Sequence, residues 1–232
     1  IGNYGVNGRD FESCKVQAAG FVVRELCTEP SHAMSAGTLD HFLLSQGIPL
    51  ISGVDTRAIT RRLRMKGVMM GVIAIGESLE TATARLRDLP GYGDLDYVRQ
   101  VSTEDMYEWD QGLPGQDPSS DGPHIMVSDY GLKYNILRIL RTKGCRVTAF
   151  PATSSARDLM AQKPDGVLLS PGPGDPELLD YAIETAKGLI GRVPIMGICL
   201  GNQVLGRAFG AKTFKLKFGH RGGNHPVRDV ST

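Results

Sequence analysis

From His124 onward the sequence alternates short apolar runs with helical patterns, and few folds satisfy that rhythm. Strands are expected over His124–Ser128, Arg146–Phe150, Gly166–Leu169 and Val193–Ile198. Helices are expected between and after them, over Lys133–Thr142, Ser155–Gln162, Glu177–Ile190 and Asn202–Phe209. Strands separated by helices are joined by crossover connections, so they lie parallel and carry helices on both faces of the sheet. Ligands of such sheets bind beyond the C-terminal strand ends. Three loops fall there and should converge on one crevice: Asp129-Tyr130-Gly131, Pro171 to Pro176, and the turn at Cys199.

The half before this sheet reads differently. Gln111 to Pro123, QGLPGQDPSSDGP, lacks apolar periodicity and is expected to be a linker. Residues 1–110 ahead of it are expected to form a mixed α and β domain, and 124–232 the parallel-sheet domain. In the first domain, Gly20–Leu26 and Val68–Ile75 read as strands, and Thr38–Gln46, Thr56–Lys66 and Leu79–Leu89 as helices. The helix bearing Arg57, Arg61, Arg62 and Arg64 is read first as a solvated face, with a partner contact as the alternative.

Composition limits what the chain can bind. Lys plus Arg number 26 against 25 Asp plus Glu, so there is no electrostatic reason to expect nucleic acid or an anionic membrane as partner. The longest apolar stretch, Val68–Ile75, is far short of the roughly 20 residues a membrane helix needs. Cys14, Cys27, Cys145 and Cys199 lie far apart without Cys-x-x-Cys or zinc-like His spacing, which fits a reduced cytoplasm and no metal.

One cysteine stands apart. The strand Pro194-Ile195-Met196 runs into Gly197-Ile198-Cys199-Leu200-Gly201 and then a helix, the pattern of a nucleophile elbow. A thiolate there is stabilised by the unpaired N–H groups and dipole of the helix N-terminus. The Leu200 N–H would face the oxyanion formed as sulfur attacks a carbonyl carbon, and the loop at Gly172 and Gly174 could supply a second donor. Taken singly, Cys199 could be a buried small hydrophobe and PGPGDP only a turn. Their joint position at successive strand ends favours a site.

The segments Ser170-Pro171-Gly172-Pro173-Gly174-Asp175-Pro176 and Gly197-Ile198-Cys199-Leu200-Gly201-Asn202-Gln203 resemble the two signature loops of class I glutamine amidotransferases. Lys217-Phe218-Gly219-His220-Arg221-Gly222-Gly223-Asn224-His225-Pro226-Val227 is similar to the carbamoyl-phosphate synthetase small subunits within that class. So are Ile1-Gly2-Asn3-Tyr4-Gly5 and the run Gly53 to Arg64. The resemblance implies an incomplete class I amidotransferase sheet behind a partial small-subunit N-terminal domain. It implies glutamine hydrolysis through a thioester at Cys199, with Leu200 and Gly172 as oxyanion amides and Gly172, Gly174, Leu200 and Gln203 lining the glutamine pocket. Ammonia would pass to a separate large subunit, which makes carbamoyl phosphate from bicarbonate; ATP and Mg are expected there, and no cofactor in this chain. A GMP, anthranilate or CTP synthesis amidotransferase, and a non-catalytic paralogue that only binds a synthetase, are the competing readings.

The family's base is a His held by a Glu in a His-Pro-Glu unit. His225-Pro226 is followed by Val227 and does not match, so that unit is expected beyond Thr232 and the chain is read as truncated at both ends. These 232 residues alone are therefore expected to hydrolyse glutamine poorly. His220 and His225 are read as structural or subunit-facing, and His32, His41 and His124 as ordinary histidines. Asn202 replaces the family's common His, and an Asn near a helix start is compatible with capping.

Overall fold

Consecutive residues of a strand point to opposite faces, so a strand covered on both sides must be apolar throughout. The strand Gly166–Leu169 meets that demand with four buried residues in a row. The computed structural model describes residues 4–116, 121–217 and 228. Its elements run β1 (Phe21–Val22), α1 (Leu39–Ser45), β2 (Leu50–Ile51), α2 (Thr56–Lys66), α3 (Leu79–Arg87), α4 (Val98–Val101), β3 (Tyr107–Trp109), β4 (His124–Asp129), α5 (Tyr134–Thr142), β5 (Arg146–Pro151), α6 (Ala156–Ala161), β6 (Gly166–Leu169), α7 (Asp180–Leu189), β7 (Ile195–Gly197) and α8 (Leu200–Ala208). Single 3-10 turns lie at Tyr92–Asp94 and Pro176–Leu178.

Five strands form the main sheet in the order β3-β5-β4-β6-β7. The last four are parallel, as the sequence rhythm demands. The first is not: Tyr107–Trp109, from ahead of the linker, pairs antiparallel with Val147–Ala149, so the sheet is mixed rather than wholly parallel. Three residues are too few to show a periodic signal. They hold because Trp109 packs on Tyr134 of α5, with ring centroids 4.6 Å apart.

Alternation along the strands divides the core. Met126, Phe150, Val167 and Leu169 join Leu159, Ala182, Ile183, Ala186, Leu189, Leu200 and Val204 on the face covered by α6, α7 and α8. Val127, Val147, Ala149 and Leu168 join Leu137 and Leu132 on the face covered by α5. Each fully buried side chain of Leu or Val size contributes about 1.5–3 kcal/mol relative to exposure. These two layers hold the strand ends, and hence the loops beyond them, in fixed register.

The first half departs further from its expected elements. The strand expected over Gly20–Leu26 shrinks to Phe21–Val22, parallel to Leu50–Ile51. Val68–Ile75, also expected as a strand, is irregular. Its apolar residues find contacts but no ladder: Ile73 packs against Gly20, while Val68, Met69, Val72 and Ile75 stay exposed. By contrast α2 keeps its expected bounds, opened by Asp55, whose Oδ1 accepts the Ala58 N–H at 2.9 Å. No residue of α2 is buried, so its arginines do form an exposed face.

The halves are tied by Arg138 of α5, whose guanidinium reaches Glu12 Oε1 at 3.3 Å and the Phe11 carbonyl at 2.8 Å. No helix among the described residues is long and apolar enough to cross a membrane.

Candidate active site at the strand ends

Between β7 and α8 the chain reverses in two residues, Ile198 and Cys199. Cys199 takes φ 53° and ψ −111°, a left-handed conformation that costs a residue with a Cβ about 1–3 kcal/mol and needs its surroundings to hold it. The hold comes from hydrogen bonds on either side. Ile198 N–H donates to the Leu169 carbonyl at 2.9 Å, and Gly201 N–H is shared between the Ser170 and Ile198 carbonyls at 3.1 and 3.0 Å. Gly197 and Gly201 have no room for a side chain: a Cβ on Gly197 would lie 2.6 Å from the Asn202 nitrogen, and one on Gly201 would collide with the Leu169 carbonyl oxygen. The turn lifts Cys199 to the surface, where its thiol is exposed, and drives the next side chain, Leu200, into the core.

Leu200 is the first residue of α8, so its N–H has no intrahelical acceptor. The helix begins two residues earlier than the sequence pattern suggests. Cys199, not Asn202, is therefore the N-cap; Asn202 sits inside the first turn, and no side-chain cap is formed. Gln203 donates its N–H to the Cys199 carbonyl at 3.1 Å, one helical turn on, and is exposed as Cys199 is.

The neighbouring loop closes against this turn. A Cβ on Gly172 would collide with the Tyr130 carbonyl oxygen and lie 2.9 Å from Leu200 Cδ2. Glycine is thus what lets the loops after β4, β6 and β7 meet, and the expected convergence of all three is observed. Gly174 has φ 91° and lies over Tyr97. Ser170, fully buried, accepts the Tyr130 N–H at 2.9 Å and donates to the Pro171 carbonyl at 2.9 Å. Asp129 accepts three backbone N–H groups: Gly131 at 3.0 Å and Leu132 at 2.8 Å on Oδ1, and Thr103 at 2.9 Å on Oδ2.

Gly131 and Pro173 also help line a cavity of about 450 Å³ whose other walls include Cys14, Thr103, Asp129 and Tyr134. The Tyr130 hydroxyl is pushed up to about 12 by burial, which keeps it neutral beneath the loops.

His124 lies at the opposite end of β4 and is engaged by Thr148, with Nε2 and Oγ1 2.8 Å apart, so it is placed away from Cys199. His220 and His225 lie outside the described residues. Among the described residues there is no cluster of three or more His, Cys, Asp or Glu fit to hold a metal ion. Sequence reasoning missed Tyr97, which packs on Gly174 from ahead of the linker, and gave no role to Asp129. The Asp129-x-Gly131 spacing is an Asx-turn signal that could have revealed the latter.

Two family models match this chain. Residues 126–232 match "Glutamine amidotransferase class-I", and residues 1–73 match "Carbamoyl-phosphate synthase small chain, CPSase domain". The chain is 45% identical to the carbamoyl phosphate synthase small chain of Vibrio cholerae, over 99% of this chain and 64% of that protein. It is 45% identical to that of Ralstonia nicotianae, over 99% and 63%, and 44% identical to that of Polynucleobacter necessarius, over 100% and 63%. The two matched stretches and these relatives make the chain similar to carbamoyl-phosphate synthase small chains. It spans a little under two thirds of the length of these curated relatives. As a small chain relative, it carries both the elbow and the Gly172–Gly174 loop inside its amidotransferase match, while β3 and Tyr97 fall between the two matched stretches.

Proposed function

We propose that this chain carries the glutamine-hydrolysing centre of a carbamoyl-phosphate synthase, with Cys199 as nucleophile. The observation that carries this reading is the exposed Cys199 thiol, held at φ 53° on a turn whose two flanking glycines admit no side chain. A core cysteine needs neither the strain nor the exposure.

The Cys199 thiolate attacks the carboxamide carbon of glutamine, forming a C–S bond and placing negative charge on the former carbonyl oxygen. The Leu200 and Gly172 N–H groups are the proposed donors to that oxyanion, a contribution of order 3 kcal/mol per donor to the barrier. Collapse breaks the C–N bond, and the nitrogen leaves as ammonia after taking a proton. Water then attacks the thioester, releasing glutamate and returning the thiol. Gly174 and Gln203 are the proposed walls of the glutamine pocket. The proton carrier is proposed to be the histidine of the His-Pro-Glu unit that the family resemblance implies, and not His124, which is at the far end of the sheet.

Ammonia would be consumed by a large synthetase subunit, on which we place ATP and Mg. The names of the relatives, small chains of a synthase, support such a partner. The test is labelling of the natural full-length protein with a glutamine-analogue diazoketone. Stoichiometric modification of Cys199, blocked by glutamine and abolished in Cys199→Ser, is the expected result. A folded protein whose Cys199 stays unmodified would instead be a binding subunit without turnover.

A further inference from the structure

After α8 the chain doubles back over the loop that supplies Gly172 and Gly174, and it is fastened there twice. Arg207 Nη1 reaches Thr213 Oγ1 at 3.0 Å and Glu177 Oε1 at 3.3 Å. Two residues beyond Thr213, Lys215 Nζ lies 2.8 Å from Asp175 Oδ2. Asp175 directly follows Gly174 and leaves only 11% of its side chain exposed, whereas Lys215 is largely in solvent. The other Asp175 oxygen, Oδ1, accepts the Glu177 N–H at 3.0 Å. Burial alone would raise the Asp175 carboxyl, but Lys215 and the Glu177 N–H together hold it below its ordinary value, so it stays ionised.

The loop needs such a fastening. Residues 170–175 belong to no strand or helix, and two of them are glycines, which lose the most conformational freedom when fixed. Packing locates Gly172, wedged against the Tyr130 carbonyl and Leu200. Gly174 has only the looser contact with Tyr97, at 3.7 Å from a Cβ built on it, so its position depends on the residue that follows. That residue is Asp175, and its partner is Lys215.

The geometry points to Lys215 as a positioning residue of the glutamine site: through Asp175 it sets the Gly172-Pro173-Gly174 turn against the elbow, so that substrate bound at Cys199 meets the loop. This inference rests on the glutamine reading given above. Lys215 touches neither Cys199 nor the reacting atoms. The same backbone stretch also abuts the first half of the chain, since Lys215 Nζ lies 2.8 Å from where a Cβ on Gly93 would be and the Lys217 carbonyl packs on Gly67.

The experiment uses the natural full-length protein as wild type, Lys215→Met, Lys215→Arg and Asp175→Asn. Two rates of Cys199 modification are compared: by a glutamine-analogue diazoketone, which needs the pocket, and by iodoacetamide, which needs only an exposed thiol. Lys215→Met should slow the diazoketone reaction about fivefold, the scale of a partly exposed ion pair, and leave the iodoacetamide rate within about twofold. Glutamine KM should rise in parallel. Lys215→Arg should restore the diazoketone rate, and Asp175→Asn, which keeps the side-chain volume, should reproduce the selective loss. An unchanged diazoketone rate in Lys215→Met or Asp175→Asn, or an equal loss of both rates, overturns the positioning role. If wild-type Cys199 reacts with iodoacetamide but not with the analogue, the glutamine reading itself fails, and that result is distinct from the others.

Discussion

Gly201 sits directly beneath the carbonyl of Leu169, so that a Cβ added to it would collide with that oxygen, while its N–H bonds the next carbonyl, Ser170, at 3.1 Å. The elbow is therefore built on backbone contact between β6 and the start of α8, with no side chain between them. Gly201→Ala must push the helix off the strand, and an oxygen fixed in a sheet cannot yield cheaply. A loss of at least about 2 kcal/mol in urea unfolding is expected. Gly206, five residues along the same helix, is the contrast: a Cβ there would meet only Ala211 at 3.9 Å. Gly206→Ala should stabilise by about 0.5–1 kcal/mol through helix propensity. Equal effects from the two substitutions would refute the packing argument.

Cys199 stores strain because a left-handed φ is imposed on a residue with a Cβ. Glycine removes that penalty and alanine does not. Cys199→Gly should therefore be more stable than Cys199→Ala by about 1 kcal/mol, after allowance for the greater freedom of glycine in the unfolded chain. Both variants lose the thiol, so the comparison isolates the backbone. If thermal unfolding ranks alanine above glycine, the turn is not held in the conformation described.

Asp129 is a tie between the halves of the chain, since one oxygen serves its own loop and the other receives the Thr103 N–H from ahead of the linker. Removing a nearly buried carboxylate leaves three N–H donors without their acceptor. Asp129→Ala is expected to cost about 2–4 kcal/mol, on the scale of lost hydrogen bonds to a charged group. Hydrogen exchange gives the sharper readout: the amides of Thr103, Gly131 and Leu132 should lose protection together. Protection retained at Thr103 alone would show that the tie is made elsewhere.

How much of this was legible in the sequence depends on how local each cause is. The strands β4 to β7 and their helices could be read because Val, Leu and Ile runs with helical patterns between them report burial directly. The elbow could be read because Gly197, Cys199 and Gly201 meet its steric needs within five residues. Val68–Ile75 misled because it has strand composition but no partner strand, and pairing is not encoded in the run itself. The β3 edge strand was hidden for the converse reason, since Tyr107–Trp109 is a strand only because β5 lies beside it. The Asp175–Lys215 pair was hidden too: forty residues separate the partners, and nothing in either neighbourhood signals the other.

His124 gives the chain a stability that depends on pH. The residue is 8% exposed, Nε2 is engaged with Thr148, and its backbone N–H donates to Asp165 Oδ2 at 2.7 Å. Burial first, and the charge of Arg146 second, lower its pKa below the ordinary 6.5, although Asp165 and Glu108 pull the other way. The folded protein thus binds fewer protons here than the unfolded chain once the pH falls below that ordinary value. The stability associated with neutral His124 is full above 6.5 and declines as the pH falls from there toward the lower folded value. Carboxylates also titrate in acid, so the measurement is the difference between wild type and His124→Gln, whose amide can still bond Thr148 but does not titrate. In urea unfolding between about pH 7.5 and pH 5, wild type should lose ground steadily to the variant. A difference that stays constant across that range would mean His124 keeps its ordinary affinity for a proton in the fold.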